Sequence, residues 1–253
     1  MVITGFRSPR GGGFTFQNYK DIFTQAIYLA AIRNSCFLSF LSAFIGLIIS
    51  FATALSLSKI SERSKGRFMS FLNMVSNFAG LPLSLAFMIM LGNAGVMVLI
   101  LRTLGFDIGR YFNLFSRQGL LLLYVYFQIP LGTLLMIPGF QAIRTEWKES
   151  SDLMRANSLQ FWWYVGLPML IPSFAGTYGM LFANALTAYA TPYMVMSTNY
   201  PLLPLKVTTM FTGEVARQPE MGSALSLVMI SIMLLVIGLC NLFKTIFYKG
   251  GRR

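Results

Sequence analysis

The sequence contains no histidine, two cysteines, and only eight acidic residues among 253. Each shortage closes off a class of chemistry. Without histidine, the chain lacks the side chain that most often moves protons near neutral pH and most often binds metals. The acids are Asp21, Glu62, Asp107, Glu146, Glu149, Asp152, Glu214 and Glu220, and all fall in predicted loops. None is placed inside an apolar run, which argues against a carrier driven by an intramembrane proton relay. No metal-ligating cluster, no nucleophile with a plausible base and no GxxxxGK[ST] phosphate loop is present. Catalysis, a metal and a bound cofactor are therefore not expected of this chain. Cys36 and Cys240 lie within or at the edge of predicted membrane helices and read as small apolar residues.

Charge is scarce in general: 11% of residues are charged against 55% hydrophobic, where soluble domains carry about 25% charge. Several apolar runs approach or exceed the ~20 residues that a helix needs to cross a bilayer. They are continuous rather than alternating, which argues against a β-barrel. The fold class is thus an all-α polytopic membrane protein. The formal charge of +12 does not point to nucleic acid. Most of the basic residues sit in short loops beside apolar segments, where they set orientation and meet anionic lipid headgroups.

Met1 to Phe14 has no apolar core and is not a secretory signal; it reads as an aqueous loop leading to an interfacial helix near 18–33. Crossings are predicted at about 35–58, 68–91, 119–141, 168–195 and 222–246, within a single domain 1–253. Gly80 and Pro82 are expected to kink the second. Gly92-Asn93-Ala94-Gly95 is a break signal that precedes a short interfacial helix at 95–104. Pro130 and Pro138 interrupt the third, and 105–118 and 196–220 are aqueous loops. Lys and Arg are densest in 59–67, around Arg144, Lys148 and Arg155, and in the tail with Lys244, Lys249, Arg252 and Arg253. This density places 143–167 and the C-terminus in the cytoplasm and, with five crossings, the N-terminus outside.

The stretch KESSDLMRANSLQFWWYVGLP, Lys148 to Pro168, is unusual in such a chain. Trp147, Ser150, Ser151 and Met154 recur at helical spacing, with Glu146, Glu149 and Asp152 on the polar side. The acids come early and Arg155 late, which suits the helix dipole. Asn157 suits a turn, and Ser158 is an expected N-cap for a second helix through Leu159 to Val165. Phe161, Trp162, Trp163 and Tyr164 are residues of a bilayer interface, and Pro168 fits the first turn of the next crossing. Two readings follow from the residues: a solvated connection with an aromatic anchor, or a compact helix that docks into a soluble partner.

The stretch resembles the cytoplasmic EAA loop of permease subunits in binding-protein-dependent ABC importers. Glu149, Ser150 and Ser151 stand at the Glu-Ala-Ala positions, and Val165-Gly166-Leu167-Pro168 forms the Ile/Val-x-Leu-Pro ending without a gap. Ala156 matches the small residue after the family glycine, but the glycine position itself holds Arg155. The bend is therefore expected to be displaced to Asn157 or to be looser. Phe14-Thr15-Phe16-Gln17-Asn18-Tyr19 is similar to an external-loop motif of polyamine-type permeases, and Asn34-Ser35 to the opening of their second helix. Met221-Gly222-Ser223-Ala224-Leu225-Ser226 is similar to the start of their last helix.

The resemblance implies a MetI-like helix bundle in a bacterial inner membrane. No counterpart of the family's usual first helix is read in this sequence, so either the sequence starts late, the preferred expectation, or the protein works with five crossings. The resemblance also implies a second permease subunit, two cytoplasmic ATPase subunits that bind ATP and Mg, and an extracytoplasmic binding protein. Glu149, Ser150, Ser151, Met154, Arg155, Ala156, Leu167 and Pro168 would couple to the ATPase. Uncharged polar groups in the crossings are the pathway candidates: Asn73, Asn77, Gln128, Tyr178, Asn184, Thr187, Tyr189, Thr191 and Tyr193. Interhelical hydrogen bonding is the competing role for each of them. The implied substrate is a polyamine of the spermidine/putrescine kind or another small charged solute. Iron(III), sulfate or thiosulfate, a phosphonate and thiamine are alternatives, and an ATP-independent carrier or channel is a more distant one.

Overall fold

The computed structural model describes residues 2–7, 13–106, 109, 111–196, 200–212 and 218–250. Asp107, Glu214, Arg252, Arg253 and the side chain of Lys249 lie outside the described residues, as does most of the glycine-rich start. The described residues form thirteen α-helices: α1 (Val2–Gly5), α2 (Gln17–Thr24), α3 (Ala26–Leu57), α4 (Glu62–Asn77), α5 (Leu81–Leu91), α6 (Val96–Thr103), α7 (Arg117–Gln141), α8 (Thr145–Leu153), α9 (Ser158–Phe161), α10 (Leu167–Thr187), α11 (Ala190–Met196), α12 (Leu203–Thr212) and α13 (Pro219–Gly250). A π-helical turn, Trp162–Gly166, joins α9 to α10. The extended contact among them is an isolated bridge between Arg7 and Phe14.

Five helices are long and apolar enough to cross a membrane: Ala26–Leu57, Leu81–Thr103, Arg117–Gln141, Ser158–Thr187 and Pro219–Ile246. A helix is the natural state for such runs, because it satisfies its own backbone polar groups where water is absent. The number agrees with the sequence expectation, while several boundaries do not. The interfacial helix expected near 18–33 is divided at Gln25, whose backbone is extended, so its second half belongs to the first span.

The crossing placed at 68–91 lies instead at 81–103. Gly80 takes φ +72°, a conformation that ends the preceding helix, and Pro82 fits the first turn of a new one. Asn73 and Asn77 consequently sit in the separate helix α4. The break at Gly92–Gly95 is present, followed by α6. The crossing placed at 168–195 starts at 158 and ends at Thr187. Pro192 has no N–H for the carbonyl of Ala188, so it sits in the first turn of a new helix, α11. Glu220, assigned to a loop, occupies the first turn of α13 behind Pro219.

The chain divides into two units, one of residues 1–42, 78–124 and 183–235, the other of 43–77, 125–182 and 236–253. In the first, the three short motifs are packing devices. Buried Asn18 donates its side-chain amide to the carbonyls of Gly5 and Arg7, each at 3.0 Å. Ser35 Oγ accepts the N–H of Leu203 at 2.8 Å, and Asn34 donates to the carbonyl of Pro201 at 3.2 Å. Met221, Ser223, Ala224, Leu225 and Ser226 are all buried at the start of α13.

In the second unit, Ala54, Met136, Phe140 and Leu170 form a core bordered by Phe51, Ile143, Trp162 and Phe174. Small residues let the helices approach closely there. A Cβ on Gly132 would collide with Ser50, and one on Gly139 with Ser173. Pro130 and Pro138 both lie inside α7. The carbonyl of Ile129, beside Pro130, accepts hydroxyls from Ser50 at 3.0 Å and Thr133 at 2.8 Å.

Candidate functional site

The loop between α7 and α10 is built around a tight reversal. Helix α8 ends in a Schellman motif: Arg155 N–H donates to the carbonyl of Asp152 at 3.0 Å, and Ala156 N–H to that of Ser151 at 3.1 Å. The residue that makes this possible is Arg155, with φ +55°. The bend is neither displaced to Asn157 nor looser; the arginine itself adopts the left-handed backbone that favours glycine.

Asn157 then caps α9, one residue earlier than the N-cap expected at Ser158. Gln160 N–H donates to Asn157 Oδ1 and Asn157 N–H to Gln160 Oε1, both at 2.8 Å, a complete capping box. Asn outranks or equals Ser as a cap, and the glutamine three residues on closes the reciprocal pair.

From Ser158 the helix runs on to Thr187 through the π turn, rather than stopping before a separate crossing. Leu167 N–H bonds to the carbonyl of Trp162, five residues back. Pro168 has no N–H to offer Tyr164, so the widened turn ends where the α-helical ladder would have failed. Gly166 is buried in this turn with the indole of Trp162 lying directly against it; a Cβ there would run into the ring.

The aromatic ramp has two faces. Phe161 is buried and Trp162 half-buried, whereas Trp163 and Tyr164 are exposed at 69% and 76%. Trp162 packs on Phe140 at 6.2 Å between ring centroids, Phe140 stacks on Phe51 at 5.6 Å, and Phe51 meets Phe174 at 5.1 Å. The loop is thereby joined to α3, α7 and α10 through packed rings. Sequence reasoning missed Phe140, Ile143 and the Gly166–Trp162 contact; the unbroken GLP ending was the available signal.

On the outer side, Glu149, Ser150, Leu153 and Met154 are exposed, the last two at 86% and 77%. Ser150 Oγ donates to the carbonyl of Glu146 at 2.7 Å, which folds its hydroxyl back onto the helix. Ser151 is a correction to the expected docking face, since it is 5% exposed and points into the chain. Leu167 is half-buried and Pro168 exposed. α8 and its C-cap thus present Glu149, Ser150, Leu153 and Met154 outward beside the exposed charges of Glu146, Lys148 and Asp152, on a capped reversal.

The pathway candidates divide between the units. In the second, Asn73 and Asn77 are exposed and joined, Asn77 donating to the carbonyl of Asn73 at 2.8 Å. Gln128 is 0% exposed, and a Cβ on Gly46 would lie 2.8 Å from its side chain. Tyr178 lines an apolar crevice with Leu47, Phe174 and Cys240. In the first unit, Tyr189 and Tyr193 stack at 5.2 Å, and burial, followed by the neighbouring Tyr193, raises the Tyr189 phenol above its ordinary range. Thr191 is buried, Asn184 half-buried, and exposed Thr187 donates to the carbonyl of Ala183 at 2.9 Å.

A family model described as the binding-protein-dependent transport system inner membrane component matches residues 27–252. The chain belongs to this family. Among curated relatives, the ferric transport system permease protein FbpB of Actinobacillus pleuropneumoniae is 23% identical over 245 residues, covering 96% of this chain and 34% of that protein. The chain thus spans about a third of the length of the ferric relatives that it matches. The spermidine/putrescine transport system permease protein PotC of Escherichia coli K12 is 22% identical over 243 residues, covering 94% of this chain and 84% of that one. A solved bacterial ABC transporter that imports the acidic polysaccharide alginate superposes with a TM-score of 0.72 at 14% identity, covering 96% of this chain and 87% of that one. At that identity the likeness establishes a shared fold.

Proposed function

We propose that this chain is the permease subunit of an ATP-driven, binding-protein-dependent importer, and that α8 is where it engages a separate ATPase. The observation that carries the reading is the capped reversal at Leu153–Asn157. It holds Glu149, Ser150, Leu153 and Met154 outward on a segment anchored through Trp162 in the helix core. A solvated connection has no need for a Schellman motif, a capping box and a packed aromatic anchor within the twelve residues from Ser151 to Trp162. In this reading the α8 loop and the C-terminus are cytoplasmic. Two permease chains make the pore, two ATPase subunits each receive one α8, and an extracytoplasmic protein delivers solute. ATP and Mg belong to the ATPase partners.

The test is ATP-driven uptake by the assembled complex in proteoliposomes. Glu149→Lys reverses a charge on the exposed face and should reduce uptake at least tenfold while the permease remains folded. Uptake at the wild-type level would reject the role of α8, and failure of the wild-type chain to co-purify with any ATPase subunit would reject the importer reading itself.

For the solute, we favour a polyamine or another small charged species, supported by the Phe14–Tyr19 resemblance together with the polyamine relative. Iron(III) is the second reading, supported by ferric relatives at 23% identity against 22% for the polyamine relative. Competition of labelled spermidine uptake by unlabelled spermidine, but not by ferric complexes, is the outcome expected of the first reading; uptake of a labelled ferric complex, competed by the unlabelled complex and not by spermidine, selects the second.

A further inference from the structure

A cavity of about 280 Å³ lies within the second unit, lined by Ala54, Leu57, Ser58, Glu62, Lys65, Ile137, Phe140 and Gln141. Its apolar wall comes from the last turns of α3 and α7, two membrane-spanning helices, so it belongs at the level where hydrocarbon meets water. Its charged groups are Glu62 and Lys65, and Lys65 is only 8% exposed. An ammonium carries three donors. Among the described residues Lys65 has one hydrogen-bond partner, Glu62 Oε1 at 3.3 Å, and the side chain of Glu62 is itself 86% exposed. The Lys65 side chain is nine-tenths buried and lines this space, and two of its three donors are left for a small polar group there. Burying a cation in this way is costly unless an acceptor completes its shell. Ser58, which also lines the cavity, donates its hydroxyl to the carbonyl of Leu55 at 2.7 Å, and the hydrogen bond described for Lys65 goes to Glu62. Lys59, Arg63 and Arg67 are exposed on the same segment and bias the surroundings toward anions.

We propose that this cavity is a site for a phosphate group of glycerophosphate size, with Lys65 as the charge-assisted donor and Leu57 and Ile137 against the glycerol carbons. The position at the ends of two spans identifies the source as an anionic phospholipid headgroup. Glu62 is the competing anion: its exposed carboxylate swings outward when the phosphate takes its place on Lys65. Phe140 lines the cavity and also packs on Trp162. Occupancy therefore bears on the anchor of α8, a consequence that rests on the functional reading above, whereas binding itself does not.

The experiment uses the full chain with Trp147→Phe and Trp163→Phe, which leaves Trp162 as its one tryptophan. Purified protein is titrated with phosphatidylcholine nanodiscs containing increasing phosphatidylglycerol, and separately, in detergent, with inorganic phosphate and glycerol 3-phosphate. Saturable binding of phosphatidylglycerol with a change in Trp162 emission is the expected result. Lys65→Gln should weaken it about tenfold or more, the scale of one lost charge-assisted hydrogen bond. Glu62→Gln, which leaves Lys65 in place, should tighten it by up to about fivefold. Saturation by the soluble phosphates, lost in Lys65→Gln, with no response to phosphatidylglycerol would keep the site and change its source. No saturable binding of any probe, or binding that neither substitution alters, would overturn the proposal, whatever uptake assays show about α8.

Discussion

Arg155 holds a backbone conformation that an L-residue with a long side chain adopts at a cost of about 1 kcal/mol or more. Among the described residues it is the one non-glycine position with positive φ. The two hydrogen bonds of the Schellman motif, and the cap on Asn157 immediately after it, hold it there. Arg155→Gly removes the strain without touching either bond. It should stabilise the reversal by about 1 kcal/mol, read as roughly fivefold slower amide exchange at Arg155 and Ala156. Faster exchange in that variant would mean that the arginine side chain itself stabilises the loop. Gly166 presents the opposite case, a glycine required by space. Gly166→Ala places a methyl group in the indole of Trp162, and overpacking of this kind costs about 1–3 kcal/mol. A shift in Trp162 emission together with lower uptake is expected; an unchanged spectrum would show that the ring has room to move.

At the level of elements, the reversal after α8 was legible in the sequence, because acids, cap residues and the Leu-Pro ending have short-range meaning. Its exact hinge was not, since the family glycine pointed to a conformation while the residue present argued against it. Local propensity lost to the hydrogen bonds around it. The second crossing was misplaced for a related reason: apolar composition is continuous from 68 to 101, and only the positive φ at Gly80 divides α4 from α5. Equally invisible was the aromatic run through Phe174, Phe51, Phe140 and Trp162, which depends on residues more than a hundred positions apart. That run is the packed connection between the loop and helices α3, α7 and α10. Phe140→Ala should leave α8 helical, since its caps are local, yet loosen its anchor by about 3–5 kcal/mol of lost packing. Uptake should fall while ATPase binding is retained, measured by co-purification. Loss of both would mean that Phe140 is needed for the fold, and loss of neither would mean that the rings do not carry force.

For the molecule as a whole, the short motifs that point to one family do different work in the two units. Those of the first unit, Asn18, Asn34, Ser35 and the small residues from Gly222 to Ser226, are consumed in packing and backbone hydrogen bonds. Of those in the second, Glu149 and Ser150 face outward on α8 while Ser151 and Gly166 are buried. Resemblance alone does not separate the two kinds, because a buried hydrogen bond and a docking face both leave residues fixed in a pattern. Exposure separates them. Ser35→Ala leaves the N–H of Leu203 buried without an acceptor, a cost of about 1–3 kcal/mol, and touches nothing on α8. Its thermal transition should fall while uptake per folded molecule stays at the wild-type level. Glu149→Lys should do the reverse, keeping the transition and losing uptake. Combined in one chain, the two losses should add, because the residues share no partner. A double variant that recovers uptake, or a Ser35→Ala chain that is stable but inactive, would place Ser35 in the transport cycle instead of the scaffold.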